Sequence, residues 1–216
     1  MLQTHNKILF FPIVILVLIP LVFAGCGKKE IEAVKIGAIL PLTGPIAWAG
    51  VNIRTGADMA MEEINAQGGI EGKKLLISFE DSKGLPKESV TLVNKFINLD
   101  KIDILMVLGT AAVNAVLPII DNNNKLLLGF TIHPNITKKS KNLFRVYISG
   151  DQEWTLLGKY INDTGIKKIG VLHINAEYGI DSLKLLKDTI GGNSEIVYSE
   201  PYEIGQSDFR AILIKI

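Results

Sequence analysis

From Val34 onward the chain alternates short apolar runs with amphipathic segments, and few architectures tolerate that order. Val34 to Leu40 is rich in branched residues and reads as a strand. Ala49 to Ala66 has helical spacing, with Ile53, Ala57, Ala60, Met61 and Ile64 on one stripe. Gly68-Gly69 ends it, as glycine commonly ends a helix. Lys74 to Glu80 reads as a strand, and Pro86 to Leu99 as a helix with Val90, Val93, Phe96 and Ile97 inward. Then come a strand over Ile102 to Leu108, a helix over Ala111 to Ile120 and a strand over Lys125 to Phe130. Strands joined through helices need crossover connections, which give a parallel sheet with helices on both faces. The strands are almost continuously apolar, as a sheet covered on both faces requires. The expected class is α/β.

Asn142 to Tyr147 reads as one more strand, after which the pattern restarts. Helices are expected over Glu153 to Asp163 and Ile180 to Ile190, strands over Lys168 to His173 and Glu195 to Ser199, and a further helix from Asp208 to Ile216. The division is a first lobe over 34–147 and a partial second lobe over 148–216. Two strands do not make an independently stable sheet without further partners, so the second lobe is expected to be incomplete: either the chain is truncated at its carboxyl end, or the missing part comes from elsewhere.

The first residues differ in kind. Lys7 precedes an apolar stretch from Ile8 to Phe23, about sixteen residues, short for a spanning helix and shaped like a secretory signal. It ends in Phe23-Ala24-Gly25-Cys26, which resembles the lipobox of bacterial lipoproteins, with Phe23 where leucine is usual. That resemblance implies a signal peptide over 1–26, lipidation of Cys26 and a polar tether over 27–33. The alternative is an uncleaved anchor helix; either places the remainder outside the membrane. Cys26 is the single cysteine, so no disulfide forms within the chain. The formal net charge is +1, so nothing suggests a nucleic-acid footprint, which would need a clustered basic face.

Specific strings then narrow the class. Val34-Lys35-Ile36-Gly37 runs into Leu40-Pro41-Leu42-Thr43-Gly44-Pro45, and further on stands Glu62-Glu63-Ile64-Asn65-Ala66-Gln67-Gly68-Gly69-Ile70-Glu71-Gly72-Lys73. With Asp81, Phe144-Arg145, Asp151, Tyr178-Gly179 and Asp208-Phe209, these resemble the branched-chain amino acid (Leu/Ile/Val) binding proteins of ABC importers, from about residue 33 to the end. The resemblance implies a two-lobed, periplasmic-binding-protein-like clamshell that holds a small solute in its cleft. It implies an extracytoplasmic, lipid-anchored protein whose partners are an amino acid or related solute and ABC permease subunits, with no cofactor. In parallel α/β sheets ligands sit beyond the carboxyl ends of the strands, where helix starts can hold a carboxylate. A ligand-sensing receptor lobe and a remnant without binding function are the other readings of the same pattern.

Candidate ligand groups follow from that placement. In relatives the loop after the third strand offers hydroxyls and backbone donors; here it reads Gly109-Thr110-Ala111-Ala112-Val113-Asn114, so Thr110, Asn114 and the backbone at Ala111 are the candidates. The next cleft loop is Phe130-Thr131-Ile132-His133-Pro134, contributing Thr131 and His133. Tyr178 matches a position that contacts ligand in relatives. Trp48 is a candidate cleft wall, since aromatic residues line small-molecule pockets. Each has a plain structural alternative: Thr110 and Asn114 as helix caps, His133 as a turn residue, Trp48 as a surface aromatic and Tyr178 as packing. His5, His133 and His173 are scattered, so no metal site is expected. The sequence has no Gly-x-Ser-x-Gly elbow, Walker loop or His-Glu-x-x-His pair, and an enzyme is not expected.

Overall fold

The computed structural model describes residues 32–215. The expected signal segment, Cys26 and most of the tether lie outside them. Residues from Ala33 form one compact unit.

The first sheet is β1 (Ala33–Leu40), β2 (Lys74–Asp81), β3 (Ile104–Leu108), β4 (Leu126–Phe130) and β5 (Leu143–Arg145), in the order β2-β1-β3-β4-β5. Every pairing is parallel. The crossovers are α1 (Ala47–Ala66), α2 (Pro86–Asn98) and α3 (Thr110–Asn122), with a 3-10 turn at Ile136–Lys138 before β5. The reading of a covered parallel sheet therefore stands. β1 lies between the edge strand β2 and the central strand β3, so the strand order reverses beside it.

The core lies between this sheet and helices α2 and α3. Ile39, Val93, Leu105, Val107, Val113, Val116, Ile120 and Leu127 are fully buried. Phe96 of α2 lies directly over Gly37 of β1, where an added Cβ would meet the ring at 2.7 Å. Glycine at 37 thus lets a whole aromatic ring reach the sheet; burying such a side chain contributes about 1.5–3 kcal/mol.

Two side chains fix the loops around this core. Asn65, in the last turn of α1, donates from Nδ2 to the Leu75 carbonyl at 2.8 Å and accepts from the Leu75 N–H at 2.8 Å. Asp81, at the end of β2, accepts from the N–H groups of Leu42 and Lys83 at 2.8 Å each and from the Thr43 hydroxyl at 2.5 Å. Burial pushes the Asp81 carboxyl up, but the hydrogen bonds from Thr43, Lys83 and Leu42 outweigh it and hold the pKa below the usual aspartate range.

The second sheet pairs β6 (Lys168–Ile174) with β7 (Glu195–Tyr202), again parallel. Its helices are α4 (Gly150–Thr164), α5 (Glu177–Thr189) and the short α6 (Arg210–Leu213). α4 packs on α5 through glycines: a Cβ at Gly150 would meet Leu185 at 2.8 Å, and one at Gly158 would meet Thr189 at 2.8 Å. The same stripe of α4 carries Trp154, so that side chain faces the α4–α5 seam.

Some boundaries differ from expectation. β5 covers three residues rather than the run Asn142 to Tyr147, because it pairs only with Leu127–Gly129 at the sheet edge. β7 continues beyond Ser199 through Pro201, because Pro201 and Tyr202 stay in register with His173 and Ile174. α6 spans four residues rather than the run from Asp208, because Asp208 turns its carboxylate onto the Arg210 N–H and guanidinium ahead of the helix.

Candidate functional site

The carboxyl ends of β3 and β4 come together first. Leu108 is in register with Phe130, and the Gly109 N–H donates to the Phe130 carbonyl at 3.0 Å. Gly109 has φ of +112°, a region that favours glycine, and its carbonyl accepts from the Val113 N–H at 2.8 Å as α3 begins. The two candidate threonines follow these strand ends. Thr110 and Thr131 are 3 % and 2 % exposed, and the Thr131 hydroxyl donates to the Thr110 hydroxyl at 3.2 Å. Thr131 Oγ1 also accepts from the His133 N–H at 3.3 Å. These hydroxyls therefore tie the two loops together.

His133 is held in the same loop. Its Nδ1 accepts from the Asn135 N–H at 3.3 Å, and its carbonyl accepts from Arg145 Nη1 at 3.0 Å. Arg145 donates to the Pro134 carbonyl as well, at 3.2 Å. The Ile132 carbonyl accepts from the Gly150 N–H at 2.9 Å, which joins the β4 exit to the start of α4. At that start the Ser149 hydroxyl bonds the Asp151 carboxylate and, as the largest influence, lowers its pKa.

Asn114 sits one turn beyond Thr110 on α3, and its Nδ2 donates to Glu177 Oε1 in the first turn of α5. This bond joins the helix above the first sheet to the helix above the second. Tyr178 is the next residue, 44 % exposed. Partial burial pushes its phenol above the usual range; the nearby Glu153 and Tyr147 add to this, and the Ser182 hydroxyl works the other way. Ser182 Oγ is near enough to act on that phenol yet makes no hydrogen bond of good geometry. Gly179 explains the placement of Tyr178. A Cβ there would meet the Ile174 carbonyl at 2.1 Å, so only glycine lets α5 start this close to the end of β6.

Of the candidates, Thr110, Thr131 and His133 are linked in one loop pair, and Asn114 is brought to the residue preceding Tyr178. Ala111 is half-buried in the first turn of α3, and Trp48, in the first turn of α1, is 70 % exposed. The sequence reading missed Glu177 and Glu153. An acidic residue in the first turn of each helix was the available signal, but such residues are common helix-start stabilisers. A separate concavity lined by Asn162, Ile166, Gly191 and Ser194 lies at the amino ends of β6 and β7, away from these strand ends. Among the described residues no group of His, Cys, Asp and Glu has the arrangement of a metal site, and no helix is long and apolar enough to cross a membrane.

Comparison with known proteins agrees with this architecture. The chain is 32 % identical over 198 residues to Leu/Ile/Val-binding protein homolog 3 of Brucella melitensis, covering 89 % of this chain and 53 % of that protein. It is 31 % identical over 204 residues to the Leu/Ile/Val-binding protein BraC3 of Rhizobium johnstonii, covering 91 % and 54 %. The chain thus spans about half the length of the curated relatives it matches. Among solved structures, the branched-chain amino acid transporter substrate binding protein LivJ of Streptococcus pneumoniae, in complex with isoleucine, superposes with a TM-score of 0.76 at 25 % identity, covering 86 % of this chain and 54 % of that one. A solute binding protein of an ABC transporter from Rhodopseudomonas palustris, in complex with 3,4-dihydroxy benzoic acid, gives 0.75 at 25 % identity, covering 85 % and 51 %. These relatives are named for binding, none for catalysis. The family model described as periplasmic binding protein matches residues 33–216, and the chain belongs to that family.

Proposed function

We propose that this chain carries the capture site of an extracytoplasmic solute-binding component of an ABC importer. It takes an amino acid or a similar small polar solute between its lobes and delivers it to a membrane permease. Lipidation of Cys26 tethers it to the membrane. The observation that supports this best is the meeting of α3 and α5, the helices that follow β3 and β6, at Asn114 and Glu177, with Tyr178 the next residue of α5. That is where parallel α/β sheets present ligands. The relatives support the solute class, one holding isoleucine and another an aromatic acid. In this reading Thr110 and Thr131 shape the floor, Ala111 offers a backbone N–H at the start of α3, Tyr178 closes over the solute, and Trp48 and His133 stand at the rim.

Thermal-shift screening of the chain against amino acids and small organic acids tests the reading. A ligand that binds only the folded state stabilises by about 2.7 kcal/mol at a hundred times its Kd. A hit whose shift is lost in Tyr178→Ala is the expected result. The absence of any shift across both compound classes is the result that sinks solute capture.

A further inference from the structure

A parallel sheet puts the amino ends of all its strands on one edge, and in the first sheet that edge includes the start of β1. Seven peptide links join Cys26 to Ala33, the first residue of β1. Seven residues at full extension span at most about 25 Å, whatever course the chain takes. A lipid on Cys26 therefore holds the start of β1 within about 25 Å of the bilayer surface. The opposite edge of the sheet carries the loops of Thr110 and Thr131, which follow the carboxyl ends of β3 and β4.

The amino edge is rich in lysine. Lys74 opens β2, Lys101 lies in the loop before β3, and Lys138, Lys139 and Lys141 lie in the segment that leads into β5. All five are exposed, and none is ion-paired among the described residues. The acidic groups of the same loops are largely engaged. Asp103 pairs with Lys125, and Asp100 with Lys95 at 3.6 Å. The Asp121 carboxylate accepts from the Ser140 hydroxyl at 2.5 Å and from Asn142 Nδ2 at 3.0 Å, which fastens the lysine segment to the end of α3. Glu32 and Lys73 have partners as well. Glu71 is exposed in the turn before Lys74 and lowers the charge at that corner. Leu99, two residues before Lys101, is 73 % exposed. Unpaired ammonium groups beside a large apolar side chain suit an anionic bilayer, where cations meet phosphates and an apolar tip enters the acyl boundary.

We infer that this lysine edge is a docking surface for anionic lipid headgroups. Lys101, Lys138, Lys139 and Lys141, with Lys74 at the margin, rest on the leaflet that holds the anchor. The inference rests on the lipidation of Cys26 and goes beyond it, since an anchor alone leaves the protein free to turn on its tether. Lysines gathered on one edge select one orientation, with the loops of Thr110 and Thr131 turned away from the lipid.

Lysine acetylation read by mass spectrometry tests this on the lipid-carrying chain purified from bacterial membranes. The chain is placed in vesicles of pure phosphatidylcholine or of an equal mixture with phosphatidylglycerol. In the anionic vesicles Lys101, Lys138, Lys139 and Lys141 are expected to react about fivefold more slowly than in the neutral ones. Lys83 and Lys87, beyond the carboxyl end of β2, are expected to react equally in both. Salt at about 1 M, which shortens the screening length to about 3 Å, should abolish the difference without releasing the chain. A variant combining Lys138→Glu, Lys139→Glu and Lys141→Glu should return Lys101 to its rate in neutral vesicles. Equal rates for these lysines in the two vesicles overturn the docking surface and leave the anchor standing. So does equal slowing of Lys83 and Lys87, or protection of Lys101 that persists in the triple variant. Failure of the chain to float with neutral vesicles overturns the anchor at Cys26 and the docking surface together.

Discussion

Asn65 clasps the backbone of Leu75 from both sides, with its amide donating to the carbonyl and its oxygen accepting from the N–H, each at 2.8 Å. The end of α1 is thereby fastened to the first residues of β2, and the glycine turn between them is made to close. A Cβ at Gly69 would meet the Lys73 carbonyl at 2.1 Å, in a backbone of φ +79°. Asn65→Ala leaves both Leu75 groups without these partners and is expected to cost about 1–3 kcal/mol in urea unfolding. Ligand affinity should not move, since the clasp lies away from the cleft.

Asp81 makes stability depend on acid in a defined direction. Its folded pKa is depressed, so its contribution is complete above the ordinary aspartate range and is lost as pH falls through the folded value. The difference in unfolding free energy between the chain and Asp81→Asn is therefore expected to be largest near neutral pH and to shrink in acid. Chemical denaturation of both at several pH values measures it; a difference that grows in acid contradicts the assignment.

Thr110 and Thr131 share one buried hydrogen bond, so their losses should not add. Thr131→Val leaves the Thr110 hydroxyl buried and unpaired, at about 1–3 kcal/mol. In the double valine variant the second substitution is expected to cost less than it does alone, which a double-mutant cycle reads directly.

Gly179→Ala drives a methyl group into the Ile174 carbonyl. A loss of about 1–3 kcal/mol is expected from overpacking, together with weaker solute binding, because Tyr178 moves with the helix start. Thermal unfolding with and without ligand separates the two effects.

The strands of the first sheet were legible because each is a short apolar run between turn residues, and their parallel pairing followed from the helices between them. The apolar stripe of α2 was equally plain, and Phe96 is indeed seated on Gly37. Much of the family-like string from Asn65 to Gly72 turns out to encode a turn rather than a cleft. What the sequence hid is long-range. Asn114 and Glu177 are 63 positions apart, and only the packing of α5 against α3 brings them into reach. The pairing of Thr110 with Thr131 likewise depends on the register of Leu108 with Phe130, which no local pattern specifies.

The passage from the first sheet to the second is held at both ends. The Val146 N–H donates to the Gly129 carbonyl at 3.1 Å, and the Gly150 N–H donates to the Ile132 carbonyl at 2.9 Å. Between those anchors remain only Tyr147, Ile148 and Ser149. Any pivoting along this stretch of chain must be absorbed in their torsions, which makes this crossing a stiff axle rather than a loose strap.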